Sequence, residues 1–74
     1  MPGRASVKLG QPLHPTELDI LQKISEGLTE GEIADHRRGS YGAVNCHLRN
    51  ARTKLGAKNR AHAVALALRS GLIK

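Results

Sequence analysis

The cations of this chain are gathered where no acid accompanies them. From His36 to Lys74 there are nine Lys and Arg residues and no Asp or Glu, while all six acids lie in the first 35 residues beside only Arg4, Lys8 and Lys23. Guanidinium and ammonium groups without local counter-charge make an electropositive surface, and the ligand that such a surface suits is a polyanion. Arg37, Arg38, Ser40, Tyr41, Arg52, Lys54, Lys58 and Arg60 are the donors that such a surface offers to phosphate oxygens. Acting together they predict binding that weakens steeply as salt rises.

These groups need an element to position them, and the stretch from Ser40 to Leu55 is suited to it. Val44, Leu48, Ala51 and Leu55 recur at helical spacing as one apolar stripe. Gly42, Cys46, Arg49 and Thr53 turn away from it, with Asn45 and Arg52 beside them. Such a helix anchors itself in a small core and presents small, polar and cationic side chains outward. The major groove of DNA admits a helix and is walled by phosphates, so it demands that division of faces. His47 lies toward the flank of the stripe and is expected to be packed and hydrogen-bonded rather than to bind a ligand.

The other elements are marked by their ends. Pro15 suits the first turn of a helix running to Glu26, with His14 as its cap and Leu13 against Leu18 as a hydrophobic staple. Leu18, Leu21 and Ile24 form its buried side, with Ile20 at the edge. Gly27 stops it. Thr29 and Glu32 make a capping box for a short helix reaching about Asp35, with Leu28 and Ile33 as its staple. His36 to Gly39 is a turn. Ser40 then caps the long helix, which Gly56 ends. Asn59 caps a fourth helix from Arg60 to about Ser70, ended by Gly71 and Leu72. No stretch alternates like a strand, so the expected fold is all-α. Residues 1–12, with two Gly and two Pro and no apolar period, read as a flexible N-terminal tail before a domain of residues 13–74.

The fourth helix is apolar all round, from Ala61 through Ala63, Val64, Ala65, Leu66, Ala67 and Leu68. A terminal helix on so small a domain cannot bury every side against its own core. The pattern therefore predicts a second protein surface, a two-fold dimer with Ala61, Ala65 and either Leu66 or Leu68 facing outward.

The inventory points away from catalysis. His14, His36, His47 and His62 are scattered, with no paired His-acid spacing for a metal, no phosphate-binding glycine loop and no nucleophile motif. One cysteine, Cys46, forms no internal disulfide. No cofactor is implied. No signal peptide or membrane span is visible, and the expectation is a cytoplasmic, nucleoid-associated protein.

Taken together, the residues from Leu13 to Ile73 resemble the LuxR/GerE-type helix-turn-helix domain. The resemblance is carried by Leu13 and Glu17; by Glu26, Gly27, Glu32, Ile33 and Ala34; by Val44, His47 and Asn50; by Lys54, Leu55 and Gly56; and by Asn59, Arg60 and Ala63. It implies four helices, with the second and third as the helix-turn-helix and the fourth as the dimer contact. It further implies that base edges are read by Asn45, Cys46 and Arg49. Arg49 would grip guanine O6 and N7, Asn45 would pair with adenine N6 and N7, and Cys46 would touch a thymine methyl. The short tail is similar in layout to the stand-alone GerE type. The chain departs from the family where a Leu-Gly-Ile-like turn usually plugs the core, because Arg37, Arg38 and Gly39 stand there. Ala43 replaces the usual Thr and Asn45 the usual basic residue.

The expectation is thus a homodimeric, sequence-specific transcriptional regulator that binds double-stranded DNA. Two rival readings remain. One is a protein–protein module that forms a heterodimer with a larger LuxR-type regulator and modulates it. The other is a nucleoid-type binder that uses charge without base preference.

Overall fold

The computed structural model describes residues 7–74, so the part of the expected tail from 1 to 6 lies outside the described residues. Four α-helices follow in order: α1 (Pro15–Ser25), α2 (Glu30–His36), α3 (Tyr41–Leu55) and α4 (Arg60–Arg69), with no strand among the described residues. α3 touches each of the other three.

Each helix begins where a side chain takes up the free backbone N–H groups. Thr29 Oγ1 accepts from Glu32 N–H at 3.1 Å while the Glu32 carboxylate accepts from Thr29 N–H at 2.8 Å. Ser40 accepts from Ala43 N–H, and Asn59 from His62 N–H. His14, a weaker cap by type, makes the full reciprocal arrangement. Its Nδ1 accepts from Thr16 N–H at 3.1 Å, and the Glu17 carboxylate accepts from His14 N–H at 2.8 Å.

The helix ends share one geometry. After α1, Gly27 takes φ +98° and Leu28 N–H returns to Lys23 C=O. The same doubling back occurs after α3 at Gly56 and after α4 at Gly71. It also occurs after α2, where the left-handed position is held by Arg38 at φ +54°. There Gly39 N–H reaches Ala34 C=O at 2.9 Å. The turn of the motif is therefore closed by backbone hydrogen bonds in place of apolar plugs.

Two core clusters lie on either side of α1. Leu21, Leu48, Ala51, Ala63, Ala67 and Ile73 form one, with Leu13, Leu18, Leu55, Ala57 and Val64 packed against it. Ile20, Ile33, Ala34 and Val44 form the other, with Leu28 beside them, and Ile24 touches both. Ile20 is thus fully buried and not at the edge of α1's inner side, because α2 and the start of α3 cover it. Leu72 also departs from expectation. It stays 44% exposed, and Ile73 takes the buried place after Gly71.

Both ends of the described chain are fastened. Lys8 N–H donates to Gln11 Oε1, and Gly10 N–H donates to Lys54 C=O at 2.9 Å, satisfying a carbonyl in the last turn of α3. At the other end the Gln22 amide clasps the Lys74 backbone, donating to its C=O at 2.7 Å and accepting from its N–H at 3.0 Å.

Candidate nucleic-acid interface

α3 divides its faces as its sequence requires. Val44, Leu48 and Ala51 are buried at 2%, 4% and 0% exposure, and Leu55 packs against the same core. Asn45, Cys46 and Arg49 are all exposed, as are Gly42 and Thr53. Tyr41 stands one turn before Asn45 on the same side of the helix and is exposed. No side-chain hydrogen bond or ion pair engages Asn45, Cys46 or Arg49 among the described residues, so their donors and acceptors point to solvent. His47 sits half-buried on the flank. Its ring makes no hydrogen bond among the described residues, contrary to expectation, because no donor or acceptor of a neighbouring helix reaches it.

The cations of the second half fall into distinct groups. Three of them cross to acids of the first half, which resolves part of the charge separation seen in the sequence. Lys54 Nζ lies 2.7 Å from Glu17 Oε1, with the two side chains only 13% and 4% exposed. That pairing commits the Lys54 ammonium inside the fold. Arg37 donates to Asp19 of α1, which also holds Lys23 at 2.6 Å. The Lys23 hydrogen bond, and then that of Arg37, hold the Asp19 carboxyl below its ordinary value. Arg60 Nη1 lies 2.7 Å from Glu30 Oε2, with the guanidinium half exposed.

Arg52 is half-buried beneath the α3–α4 connection, where its Nη2 lies 3.4 Å from Lys58 C=O and its Nε is buried without a partner. It braces the loop and turns little of itself outward. Arg38 and Lys58 are exposed and form no ion pair among the described residues. Ser40 spends its acceptor on the cap of α3 but keeps its hydroxyl proton to donate. Among the described residues Lys8, Arg38, Arg49, Lys58, Arg69 and Lys74 are exposed cations without an ion pair; of the candidate contacts, Arg38, Arg49 and Lys58 are free, flanked by the tethered Arg37 and Arg60.

Two acids matter here that the sequence reading did not single out by role. Glu17 anchors Lys54, and Glu30 anchors Arg60 and stands beside the Tyr41 hydroxyl, raising its pKa above the ordinary value. No local pattern marks either contact. Among the described residues no group of three His, Cys, Asp or Glu side chains is placed to hold a metal ion, and no helix is long and apolar enough to cross a membrane.

α4 presents Ala63 and Ala67 inward at 0% exposure. Ala61 and Leu68 are exposed, and Ala65 and Leu66 are half-buried. Ala61, Ala65 and Leu68 follow one another at helical spacing along the outer side.

Comparison with known proteins gives a consistent result. Residues 11–67 match the family described as bacterial regulatory proteins, luxR family. The chain is 43% identical over 61 residues to the HTH-type quorum sensing-dependent transcriptional regulator VjbR of Brucella ovis, an alignment spanning 82% of this chain and 24% of that protein. It is 39% identical over 61 residues to the transcriptional activator protein BjaR1 of Bradyrhizobium diazoefficiens, spanning 82% and 25% respectively. It is 31% identical over 67 residues to the uncharacterized transcriptional regulatory protein YxjL of Bacillus subtilis, spanning 90% and 31%. The chain therefore corresponds to between a quarter and a third of the length of these relatives.

Proposed function

Because the chain belongs to the luxR family of bacterial regulatory proteins, we propose that it is a DNA-binding unit of transcription control that acts as a two-fold homodimer. Each copy lays α3 in the major groove. Asn45, Cys46 and Arg49 face the base edges, and Arg37, Arg38, Ser40, Tyr41, Lys58 and Arg60 face the phosphate walls. The outer stripe of α4 joins the copies, so the two recognition helices enter grooves about one helical turn apart on a near-palindromic site.

One observation carries this reading. The side of α3 opposite Val44, Leu48 and Ala51 is open along its length and carries Asn45, Cys46 and Arg49, none of them engaged by its own fold. A helix whose polar face were structural would have its amides and guanidinium occupied. This one leaves them free in the surroundings that a polyanion favours.

The apolar outer side of α4, with Leu68 on it and Leu72 just beyond the helix each 44% exposed, supports association. A second copy is the first choice. The same helix of a larger regulator of the family is the second, and in that role the chain would modulate its partner.

The test is a binding series on duplexes selected from a random pool and on unselected duplexes, at two salt concentrations. A preference for selected sites that persists at the higher salt supports the proposal. Equal binding to both sets makes the protein a charge-driven binder. No binding to either, with capture of a larger luxR-type regulator, makes it the modulator.

A further inference from the structure

Glu30, Tyr41 and Arg60 are the first residues of α2, α3 and α4, and the fold brings them to one place. They line an open cleft of about 480 Å³, together with Ile24, Leu28 and Thr29. The Glu30 carboxylate lies 2.7 Å from Arg60 Nη1, and Glu30 is only 11% exposed while Arg60 is 53% exposed. Tyr41, whose hydroxyl neighbours the same carboxylate, stands on the reading side of α3 one turn before Asn45. One acid therefore engages Arg60, one of the donors that the proposed function assigns to phosphate, with Tyr41 lining the same cleft.

We propose that Glu30 is a brake on sequence-independent DNA binding, its carboxylate occupying Arg60 in the place of a phosphate oxygen. The inference rests on the DNA-binding reading and extends it. Phosphate contacts add affinity for every sequence alike, whereas base contacts add it for one. An internal carboxylate that competes for the backbone donors lowers the common part and leaves the base-reading part whole. The ratio of specific to non-specific binding rises as a result. Glu30 is nearly enclosed while the guanidinium it holds remains open to solvent. The cleft beside them gives Arg60 room to swing toward a duplex.

The experiment compares the wild-type chain, Glu30→Gln and the double variant Glu30→Gln/Arg60→Gln by fluorescence anisotropy. Each is titrated with a random-sequence duplex and a pool-selected duplex across a salt series. Glu30→Gln keeps the side-chain shape and removes the charge. The expected result is random-duplex binding about three- to tenfold tighter, with a log–log salt slope steeper by about 0.9 per phosphate gained. The selected-over-random ratio falls, and removing Arg60 from the variant cancels the gain. Random-duplex binding that is unchanged or weaker in Glu30→Gln, or a gain that survives the loss of Arg60, overturns the brake.

A wild-type chain that binds no duplex sinks the DNA reading and the brake with it. A wild-type chain that binds, with Glu30→Gln indistinguishable from it, sinks the brake alone.

Discussion

Lys54, at the last turn of α3, reaches back to Glu17 in the first turn of α1, and their charged atoms meet 2.7 Å apart with the carboxylate 4% exposed. The same carboxylate accepts the His14 N–H, so it fastens the start of α1 and the end of α3 together. Removing one member of a buried pair leaves the other charge without compensation, which costs about 3 kcal/mol. Lys54→Met and Glu17→Gln are each expected to lower stability on that scale in denaturant unfolding. Lys54→Met should leave the salt slope of DNA binding unaltered, because its ammonium is held by Glu17.

The turn between α2 and α3 holds a left-handed arginine. Arg38 sits at φ +54° where the other three helix ends carry glycine. A Cβ in that conformation costs about 1–2 kcal/mol, part of which glycine returns through its greater freedom in the unfolded chain. Arg38→Gly is therefore expected to stabilise the domain by about 0.5–1 kcal/mol, seen as a raised thermal midpoint. The reverse change at Gly56 meets both an unfavourable φ of +71° and the Leu9 side chain, whose Cδ1 would lie 2.8 Å from a new Cβ. Gly56→Ala should destabilise.

Acid acts on two carboxylates. Lys23 and Arg37 depress the Asp19 pKa, and the Thr29 backbone and hydroxyl depress that of Glu32. Both folded-state values lie below the unfolded ones, so these groups favour folding at pH values above the ordinary carboxylate range, near 4. That contribution is lost as pH falls through the depressed values. These two groups are expected to make the thermal midpoint drop as pH falls below about 5. Asp19→Asn and Glu32→Gln should each start lower at pH 7 and show a shallower acid limb.

The elements and their limits were legible because caps are local. Thr29 with Glu32, Ser40 with Ala43 and Asn59 with His62 each act over three residues, and Gly27, Gly56 and Gly71 mark their turns by residue type. The open face of α3 was legible for the same reason, since helical spacing alone separates Val44 and Leu48 from Asn45 and Arg49. The ion pairs were not legible. Lys54 and Glu17 are 37 residues apart, Arg60 and Glu30 are 30 apart, and Arg37 and Asp19 are 18 apart, so only the packed topology reveals which cations are engaged. Arg38 gave no sign of its conformation, because the glycine that usually marks such a turn stands one place later. Ile20 was misplaced because α2 covers a side of α1 that periodicity within α1 cannot show.

The outer stripe of α4 makes a prediction about assembly. Leu68 is 44% exposed, while Ala63 and Ala67 on the inner side are fully buried. Leu68→Glu should leave the monomer fold within about 0.5 kcal/mol of the wild type, as expected for a surface change. In the proposed dimer it places like charges opposite one another across the two-fold axis and removes apolar area from a small interface. Sedimentation equilibrium is expected to show a dimer for the wild type and a monomer for Leu68→Glu. The variant should also lose binding to a two-half-site duplex while keeping weak affinity for a single half-site. A wild type that is monomeric at high concentration, with and without DNA, rejects self-association through α4.

Arg49 and Lys58 separate recognition from attraction. Both are exposed and free of ion pairs among the described residues, so neither substitution leaves a buried charge behind. Arg49 projects from the middle of the open face of α3, where in the proposed complex a bidentate grip on guanine would contribute about 1–3 kcal/mol of discrimination. Lys58 lies in the α3–α4 connection and in the proposed complex meets the DNA backbone. Arg49→Ala is expected to weaken binding to a selected duplex about 5- to 150-fold and to flatten the preference at one base position. Lys58→Ala should weaken selected and random duplexes by the same factor and reduce the salt slope by about 0.9. The two variants are thus told apart by the slope and by the base preference, whatever the absolute affinity. If Arg49→Ala lowered both duplexes equally and left the preference intact, Arg49 would be a phosphate contact, and base reading would fall to Asn45 and Cys46.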